Sequence, residues 1–339
     1  MKKIFTLISM ALVAMSMNAQ TDPQGHVAGD YPVKNVVWKA ITWKNGNNKK
    51  DKDNKDMLFL MGTGNGYATM FAHYGYSDDK GEWQILNGNQ TACMFYWYTI
   101  KNKKALGQLK PTDFMVKTIV TSELIAKIAR ANGVECFDEY TGFKWIAYRI
   151  RVNEGKRKYI GGGEESFGYL PYDKVRDKDA PASICLICEI AAWAKDQGKT
   201  LYDLLLDIYK EYGFQKEAAI SVTKPGKSGA DEIKKMMEDF RATPPTEIAG
   251  SKVVCVKDYK SLKQTANGAV TDIVMPTTAN VLQWFTEDGM KISVRPSGTE
   301  PKIKFYCEVP VAGQFDGDYA AATAKADARI ADIKKSLGL

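Results

Sequence analysis

The chain has 339 residues, of which 45% are hydrophobic and 26% are charged, a balance typical of globular proteins with two or three domains. Its 47 basic and 40 acidic residues give a net charge of +7, and the lysines are scattered except between Lys49 and Lys55. Because this pattern lacks the basic stripe of a nucleic-acid-binding protein, we expect no nucleic-acid partner. An anionic small substrate would need only a local basic site.

The N-terminus has the three parts of a secretory signal: two lysines, an apolar run over residues 4–17, and a small residue, Ala19, after which cleavage is expected. This run is too short for a stable membrane anchor, and no other stretch is long and apolar enough to span a bilayer. On this pattern alone, we expect export to the periplasm or the outside and no stable membrane span.

Residues 21–76 are rich in Gly, Asn, Lys, Tyr and Trp and contain short alternating pieces at 36–43 and 57–60. They predict a β-rich segment with a solvated loop at 45–55. The glycine-rich run 62–66 lacks the lysine of a phosphate-binding P-loop, so it favours a turn over a nucleotide loop.

From residue 77 onward, strands and helices alternate. Such alternation favours a parallel sheet covered by helices. The predicted elements are a turn at 78–83, a helix around 92–100, a strand at 114–120, a helix at 122–132 capped by Ser122, a strand at 134–137, a helix at 146–152, a strand at 158–160 and helices at 181–197 and 200–212.

A charged helix at 231–241, flanked by glycine- and proline-containing stretches, predicts a connection between domains. The remaining sequence predicts a small α+β unit, an antiparallel sheet backed by helices. Its predicted elements are strands at 253–256, 272–275, 290–294 and 303–308 and a helix at 319–337.

Six cysteines lie mostly in apolar stretches, which is typical of buried thiols rather than of a disulfide framework. Cys185 and Cys188 form a C-x-x-C pair inside a predicted apolar helix. A zinc site would need a second ligand pair, and His26 and His73 are remote in sequence. Buried thiols are therefore favoured, with redox or zinc chemistry as the alternative.

The segment 161–169 is glycine-rich and acidic. Three consecutive glycines let a backbone approach a ligand closely, while Glu164, Glu165 and Ser166 supply acceptors and a hydroxyl suited to sugar hydroxyl groups. The same residues are equally compatible with a flexible acidic turn, because two adjacent carboxylates are not yet an acid/base pair.

The loop after the predicted strand 290–294 is suited to holding a dianion. Arg295 offers a forked guanidinium, Ser297 and Thr299 offer hydroxyls, and Gly298 offers its backbone. Two prolines fix φ on either side, which reduces the entropy lost on ordering. The alternative is an ordinary β-hairpin with a polar tip.

From about residue 77 to the C-terminus, the chain resembles the α-D-phosphohexomutase family, the phosphoglucomutases and phosphomannomutases. The resemblance depends on five motifs in a fixed order, which is more specific than any one of them. They are Lys117-Thr-Ile-Val-Thr121, Thr141-Gly-Phe-Lys-Trp145, Gly162-Gly-Glu-Glu-Ser-Phe-Gly168, Arg176-Asp-Lys-Asp179 and Arg295-Pro-Ser-Gly-Thr-Glu-Pro-Lys302.

The resemblance implies an α/β fold, in which a phosphohexomutase-type domain with a mixed sheet covered by helices precedes a smaller α+β C-terminal domain. The chain would then divide into a signal-like segment 1–20, a β-rich segment 21–76 outside the family, a remnant of mutase domain 2 at 77–104, domain 3 with the sugar-binding loop at 105–222, a connecting helix and linker at 223–250 and domain 4 with the phosphate-binding loop at 251–339.

Members of this family interconvert hexose 1-phosphates and hexose 6-phosphates through a phosphoserine. The resemblance therefore implies glucose or mannose phosphate as the partner, and a cytoplasmic location that conflicts with the export pattern. Lys144 would approach the substrate phosphate, and Glu164 and Ser166 would hold sugar hydroxyls. The phosphate that is not transferred would be bound by Arg295, Ser297, Gly298 and Thr299. Glu300 is expected to brace Arg295 or Lys302, and the Arg176–Asp179 motif is expected to form an ion network.

The resemblance does not reach the family's catalytic serine loop or its metal loop. The chain contains no Ser-His pair, and residues 63–77 contain no aspartate. We therefore expect no catalytic residue beyond the phosphate contact of Lys144, no metal ligand and no bound Mg²⁺, although the family uses Mg²⁺.

The polypeptide alone is therefore expected to be an inactive, truncated mutase, with the secreted-type segment joined near residue 77 to the C-terminal half of the enzyme. The alternatives are a catalytically dead, exported protein that binds phosphosugars or glycans, and a non-functional fusion product. The sequence does not distinguish glucose from mannose phosphate, and it leaves the oligomeric state open.

Overall fold

A computed structural model describes residues 83–224, 226–298 and 300–339, together with three short strands further upstream. Strand β1 (Ala40–Thr42) pairs antiparallel with β2 (Met57–Phe59), and β3 (Tyr74–Ser77) pairs antiparallel with β4 (Trp83–Leu86) on either side of the predicted turn. The predicted signal, and the rest of the predicted β-rich segment, lie outside the described residues. The chain divides into two compact units, one ending at Ile208 and the other beginning at Tyr209.

The first unit contains a mixed four-stranded sheet, in agreement with the predicted α/β class. Its strands are β5 (Asp113–Thr118), β6 (Glu135–Glu139), β7 (Lys158–Gly163) and β8 (Tyr169–Leu170). They lie in the order β6-β5-β7-β8, in which β5 is parallel to both neighbours and β8 is antiparallel to β7. The carboxyl ends of β5, β6 and β7 therefore meet at one edge, where loops in α/β sheets commonly bind ligands.

Helices accompany this sheet in chain order. They are α1 (Gly88–Ala105), α2 (Glu123–Ala131), α3 (Phe143–Val152), α4 (Ala180–Asp196) and α5 (Leu201–Tyr212). Apolar residues of α3 pack on the strands in one buried cluster: Phe114, Val116, Phe143, Ile146, Ile150, Tyr159 and Leu170. The predicted cap of α2 is confirmed, since the Ser122 hydroxyl accepts a hydrogen bond from the Leu124 N–H at 3.2 Å.

Two helices begin earlier than their sequences predict. Helix α1 begins at Gly88 because Asn87 and Gln90 form a reciprocal capping box. Helix α3 begins at Phe143 rather than at residue 146, and its N-cap, Gly142, has no side chain with which to cap it. Glu164, from a distant part of the sequence, caps this end only by accepting the N–H of Gly142 itself, so local patterns could not predict this start.

The C-x-x-C cysteines, Cys185 and Cys188, lie on α4. All six cysteines of the chain are free thiols. Burial raises the pKa of the Cys188 thiol to about 12, with the neighbouring Cys185 adding to the shift. A thiol with so high a pKa is almost entirely protonated at neutral pH and is a poor nucleophile.

The second unit is an antiparallel sheet with two helices, in agreement with the predicted α+β class. Its strands are β9 (Gln215–Thr223), β10 (Glu247–Ile248), β11 (Ser251–Asp258), β12 (Lys263–Ala266), β13 (Ala269–Asp272), β14 (Leu282–Thr286), β15 (Lys291–Pro296) and β16 (Lys302–Pro310). Seven of them lie in the order β13-β12-β11-β14-β15-β16-β9, and β10 pairs with β11. The helices are α6 (Lys227–Ala242) and α7 (Tyr319–Ser336).

The central strands of this sheet have one apolar and one polar face. The apolar face is buried and includes Trp284, Ile292, Val294, Ile303 and Phe305, and Phe240 of α6 packs edge-on against Trp284 at 5.0 Å between ring centroids. The buried residues of the polar face are Gln283, Lys291, Ser293 and Glu308. Because side chains alternate along a strand, Arg295 lies on this polar face.

The prediction of a strand at 272–275 is wrong, since β13 ends at Asp272 and Val274 is 91% exposed. The register is set by a tight hairpin at Asn267 and Gly268, both with positive φ, which pairs Lys263 with Asp272. Asn-Gly is the sequence signal for such a two-residue turn. None of the helices in the described part of the chain is long and apolar enough to cross a membrane.

Candidate functional site

Residues 164–168, which we call the sugar loop, connect β7 to β8. Glu164 is buried, and its Oε1 accepts a hydrogen bond from the Gly142 N–H at 2.6 Å. The Glu164 N–H donates to the Gly168 carbonyl at 2.8 Å, which closes the loop on itself. Ser166 at the tip is exposed. The loop therefore presents one buried carboxylate and one exposed hydroxyl.

The environment of Glu164 shifts its proton affinity. Burial raises the pKa of this carboxyl, and the hydrogen bond from Gly142 and the positive charge of Lys178 offset the shift only in part. A carboxyl group held in this way takes up a proton more readily than an ordinary glutamate.

Lys144 lies in the first turn of α3, the helix whose N-terminus Glu164 caps. Its side chain is exposed, and its Nζ lies 5.1 Å from the centroid of the Trp145 ring. The structure thus brings Lys144, Glu164 and Ser166 to the same edge of the first sheet, at the carboxyl ends of its parallel strands.

Lys178 was predicted only as part of an ion network. Its side chain packs tightly beside the loop, because a Cβ at Gly168 would lie 2.7 Å from Lys178 Cδ. The ammonium lies 4.8 Å from the Phe143 ring centroid and 3.0 Å from Asp177 Oδ1. No local sequence signal connects this lysine with Glu164, since their closeness in space depends on how the turn before α4 folds.

The rest of the Arg176–Asp179 motif is structural. The Arg176 guanidinium pairs with Glu154 at 2.7 Å, and Asp179 caps α4 by accepting a hydrogen bond from the Ala182 N–H at 3.0 Å. The motif therefore takes part in two separate ion pairs, Arg176 with Glu154 and Lys178 with Asp177, and in one helix cap.

Lys117 is fully buried at the end of β5. Its Nζ lies 2.6 Å from Asp138 Oδ1 and 2.9 Å from Glu123 Oε1. Burial alone would lower the pKa of this ammonium, but the two carboxylates outweigh burial and raise it. The lysine consequently joins β5, β6 and α2 at the edge of the sheet that carries the sugar loop.

In the second unit, the loop 297–302 closes the hairpin between β15 and β16. The Ser297 N–H donates to the Lys302 carbonyl at 2.7 Å, and Glu300 Oε2 lies 3.2 Å from Lys302 Nζ. Lys302 is one of the two partners expected for Glu300. Gly298 is exposed, and the predicted ligand Thr299 lies outside the described residues.

Arg295 lies directly opposite Lys304 in the antiparallel pairing of β15 with β16, and Ser221 of β9 lies next in the row. Paired residues direct their side chains to the same face, so two cations are neighbours beside the loop. No carboxylate pairs with either of them among the residues that the structure describes. Lys304 was missed by the sequence analysis because its relevance depends on strand register.

The described residues do not contain a cluster of three or more His, Cys, Asp or Glu side chains that could hold a metal ion. The segment in which the family's metal loop is expected, 63–77, contains no aspartate. The described residues therefore offer no magnesium site, and we derive no step through a metal.

Comparison with known families gives two adjacent matches. Residues 87–212 match the profile described as phosphoglucomutase/phosphomannomutase, alpha/beta/alpha domain III. Residues 223–326 match the profile described as phosphoglucomutase/phosphomannomutase, C-terminal domain. Together these ranges contain the sugar loop and the loop that follows Arg295.

Curated relatives agree with these matches. The phosphoglucomutase of Staphylococcus epidermidis is 38% identical over 231 residues, which cover 68% of this chain and 41% of that protein. The phosphoglucomutase of Staphylococcus aureus gives the same identity and the same coverage. The chain therefore matches less than half the length of these relatives.

A solved structure shows a similar fold. The exocytosis-sensitive phosphoprotein pp63/parafusin (phosphoglucomutase) from Paramecium, in its open form, superposes with a TM-score of 0.51 at 18% sequence identity. The superposition covers 84% of this chain and 44% of the Paramecium chain. At this level of identity, the likeness is one of fold.

Proposed function

The chain belongs to the phosphoglucomutase/phosphomannomutase family, and from that premise we propose that hexose phosphates are its ligands, with the sugar loop as a hydroxyl-binding element of the first unit and the loop that follows Arg295 as a phosphate-binding element of the second. Glucose phosphate and mannose phosphate are the proposed ligands. The first loop would hold sugar hydroxyls, and the second would hold the phosphate that is not transferred.

The observation that carries this proposal is the juxtaposition of Arg295 and Lys304 beside a loop of small polar residues. Two cations that face each other repel unless an anion lies between them. A phosphate dianion would satisfy both charges and would accept hydrogen bonds from Ser297 and the Gly298 backbone. Thr299 is the remaining proposed ligand of this set, on the family motif alone.

The sugar loop supports the second half of the proposal. Glu164 supplies a buried acceptor and Ser166 an exposed hydroxyl, which together can bind neighbouring hydroxyl groups of a hexose. Lys144, which is exposed in the first turn of α3, would approach the phosphate that undergoes transfer. In the family, phosphoryl transfer depends mainly on positioning and charge neutralisation, and the proposed role of these residues is limited to positioning the sugar phosphate and neutralising its charge.

The chemistry of this polypeptide alone is proposed to stop at binding. The chain contains no Ser-His pair of the kind that carries the family's phosphoserine. Its own residues would bind and orient the sugar phosphate without a nucleophile to exchange phosphate.

Isothermal titration calorimetry with glucose 6-phosphate tests the proposal. We expect Arg295→Ala to weaken binding by roughly 1.5 to 3 kcal/mol, the range for a charge-assisted contact. Lys304→Ala should weaken binding in the same direction. Lys252→Ala, which removes an exposed lysine of β11, serves as the matched control and should leave binding unchanged.

Unchanged binding in Arg295→Ala would show that the phosphate assignment is wrong. A folded chain that does not bind glucose 6-phosphate at all would instead support a non-functional fusion product. Titration with mannose 6-phosphate in parallel distinguishes the two hexoses.

A further inference from the structure

Glu165 has a different environment from Glu164, although the two carboxylates are adjacent. Its Oε2 lies 3.3 Å from Thr118 Oγ1 and 3.2 Å from Thr121 Oγ1. Both threonines are fully buried, and their hydroxyl oxygens lie 2.7 Å apart. Glu165 therefore contacts buried hydroxyls of the protein, whereas Glu164 caps α3.

The number of protons determines how these three groups are joined. Two threonine hydroxyls carry two protons, but three oxygen–oxygen contacts connect them with the carboxylate. Because the contact between the threonines is the shortest, one hydroxyl donates to the other, and the second proton reaches Glu165 Oε2. The pair thus acts as a hydroxyl relay that ends on the sugar loop.

The relay is anchored in the core. Lys117 Nζ lies 3.4 Å from the Thr121 carbonyl and 3.5 Å from the Thr118 carbonyl, near the limit for hydrogen bonds. The same ammonium is paired with two carboxylates, so the backbone between the two threonines is fixed relative to β5 and β6.

Gly88, the first residue of α1, constrains the loop from another side. A Cβ at this position would lie 2.0 Å from the Glu165 carbonyl oxygen and 2.7 Å from the Phe167 nitrogen. Both are backbone atoms, so no rotamer change could relieve the overlap. Any larger residue would have to displace the loop or the helix.

The backbone of the loop needs such support. Phe167 has a φ of 70°, in the left-handed region that is unfavourable for a bulky residue and persists only where its surroundings enforce it. Gly88 lies against the Glu165 carbonyl and the Phe167 nitrogen, and the threonine pair contacts the Glu165 side chain.

We propose that Gly88 and the Thr118–Thr121 pair are positioning residues of the sugar loop. They hold Glu165 as an anchor and thereby direct Glu164 and Ser166 towards a hexose. This assignment rests on the proposed function of the loop, but its structural part can be tested without a ligand.

Hydrogen exchange of the ligand-free chain measures the anchoring directly. The reporters are the Glu164 amide, which donates to Gly168, and the Gly142 amide, which donates to Glu164. In a Thr118→Val/Thr121→Val double variant, both amides should exchange about tenfold faster, as expected for the loss of one hydrogen bond of ordinary strength. The Thr118→Ser/Thr121→Ser variant keeps both hydroxyls and should exchange like the wild type.

Gly88→Ala is an independent variant, and it keeps the inference testable if the double valine variant does not fold. It should also accelerate exchange at Glu164 and Gly142, while the amide of Val116 in β5 stays protected. Wild-type exchange at both reporters in Gly88→Ala and in a folded double valine variant would overturn the inference.

A binding experiment separates this inference from the proposed function. Glucose 6-phosphate affinity should fall by about tenfold in Gly88→Ala, while affinity for inorganic phosphate stays unchanged, because only the hydroxyl contacts are misdirected. If the wild type binds glucose 6-phosphate no better than inorganic phosphate, the proposed function of the loop fails, and with it the role in directing Glu164 and Ser166. If folded Gly88→Ala keeps the wild-type preference for glucose 6-phosphate over inorganic phosphate, the positioning role is wrong although the proposed function stands.

Discussion

In its proposed role, Glu164 combines two properties that oppose each other, since a charged carboxylate is the better acceptor for hydroxyl groups although this side chain is buried. Its raised pKa reflects the cost of burial, which the Gly142 N–H and Lys178 offset only in part. A side chain in this position is sensitive to acid in a range where most glutamates remain ionised.

We predict a pH dependence of hexose phosphate binding that originates at Glu164. Because the folded pKa is raised, the carboxylate takes up a proton as pH falls, at a higher pH than an ordinary glutamate with a pKa of about 4.3, and its acceptor role is then lost. Binding should weaken as pH falls through this raised pKa. Calorimetric titrations with glucose 6-phosphate across a series of pH values measure the profile.

The ligand's phosphate also titrates, near pH of about 6, so a matched variant is needed. Glu164→Gln keeps the shape of the side chain without a titratable proton. Subtracting its profile from that of the wild type should leave a single transition assigned to Glu164. If the wild type and Glu164→Gln show the same dependence of binding on pH, Glu164 is not the origin of that dependence.

Individual ligand candidates could be predicted from residue chemistry to different degrees. Arg295 and Ser297 were predicted because arginine and hydroxyl residues in a short loop are themselves a phosphate-binding signal. Lys304 was not predicted, because it becomes a neighbour of Arg295 only through the register of two strands. Lys178 was predicted only as part of an ion network, because its position beside the sugar loop depends on the fold of the turn before α4.

Among the secondary structure elements, β5 has a central role because Lys117 and Thr118 lie at its end, and Thr121, the second threonine that contacts Glu165, lies in the turn that follows. Lys117 is fully buried, whereas Glu123 and Asp138 are 32% and 42% exposed. The lysine thus joins one helix and two strands at the edge where the candidate site lies.

We predict that Lys117→Met lowers the free energy of unfolding by about 2 kcal/mol, since it removes the charge between two carboxylates that remain partly solvated. Urea denaturation followed by circular dichroism measures this loss. Lys127→Met replaces an exposed lysine of α2 and should change the free energy of unfolding little. An equal stability in both variants would contradict the structural role of Lys117.

The elements differ in how well local sequence predicts them. Strand β5 and helix α2 were predicted, since both have strong apolar patterns and α2 has a serine cap. Strand β9 was missed: it consists mainly of polar and small residues and is stabilised by its long pairing with β16, which no local pattern reveals. Strand β13 was misplaced, although the Asn-Gly turn beside it could have fixed its position.

For the whole molecule, we predict that the purified polypeptide does not interconvert glucose 1-phosphate and glucose 6-phosphate. Phosphate exchange needs a nucleophile, and the chain contains no Ser-His pair. A coupled assay with glucose 6-phosphate dehydrogenase measures the reaction, and the S. epidermidis phosphoglucomutase serves as the positive control. Turnover by this chain above the buffer rate would show that another residue carries phosphate.

The division of the whole chain into domains stays a prediction at several boundaries, and so does export. Cleavage after Ala19 can be checked by N-terminal sequencing of the protein recovered from cells. The two matched ranges, 87–212 and 223–326, show which parts of the chain the family comparison covers. The remaining N-terminal residues have to be tested by experiment.

The facing cations of β15 and β16 also link anion concentration to thermal stability. Like charges directly opposite each other on neighbouring strands are destabilising, so the ligand-free fold should be weakened where Arg295 meets Lys304. An anion that binds only the folded chain should stabilise it by about 2.7 kcal/mol at one hundred times its Kd. Inorganic phosphate should therefore raise the melting temperature of the wild type. Lys304→Ala should have a higher melting temperature than the wild type without phosphate, and phosphate should raise its melting temperature less. One substitution would thus make the stability of the fold less dependent on a bound anion.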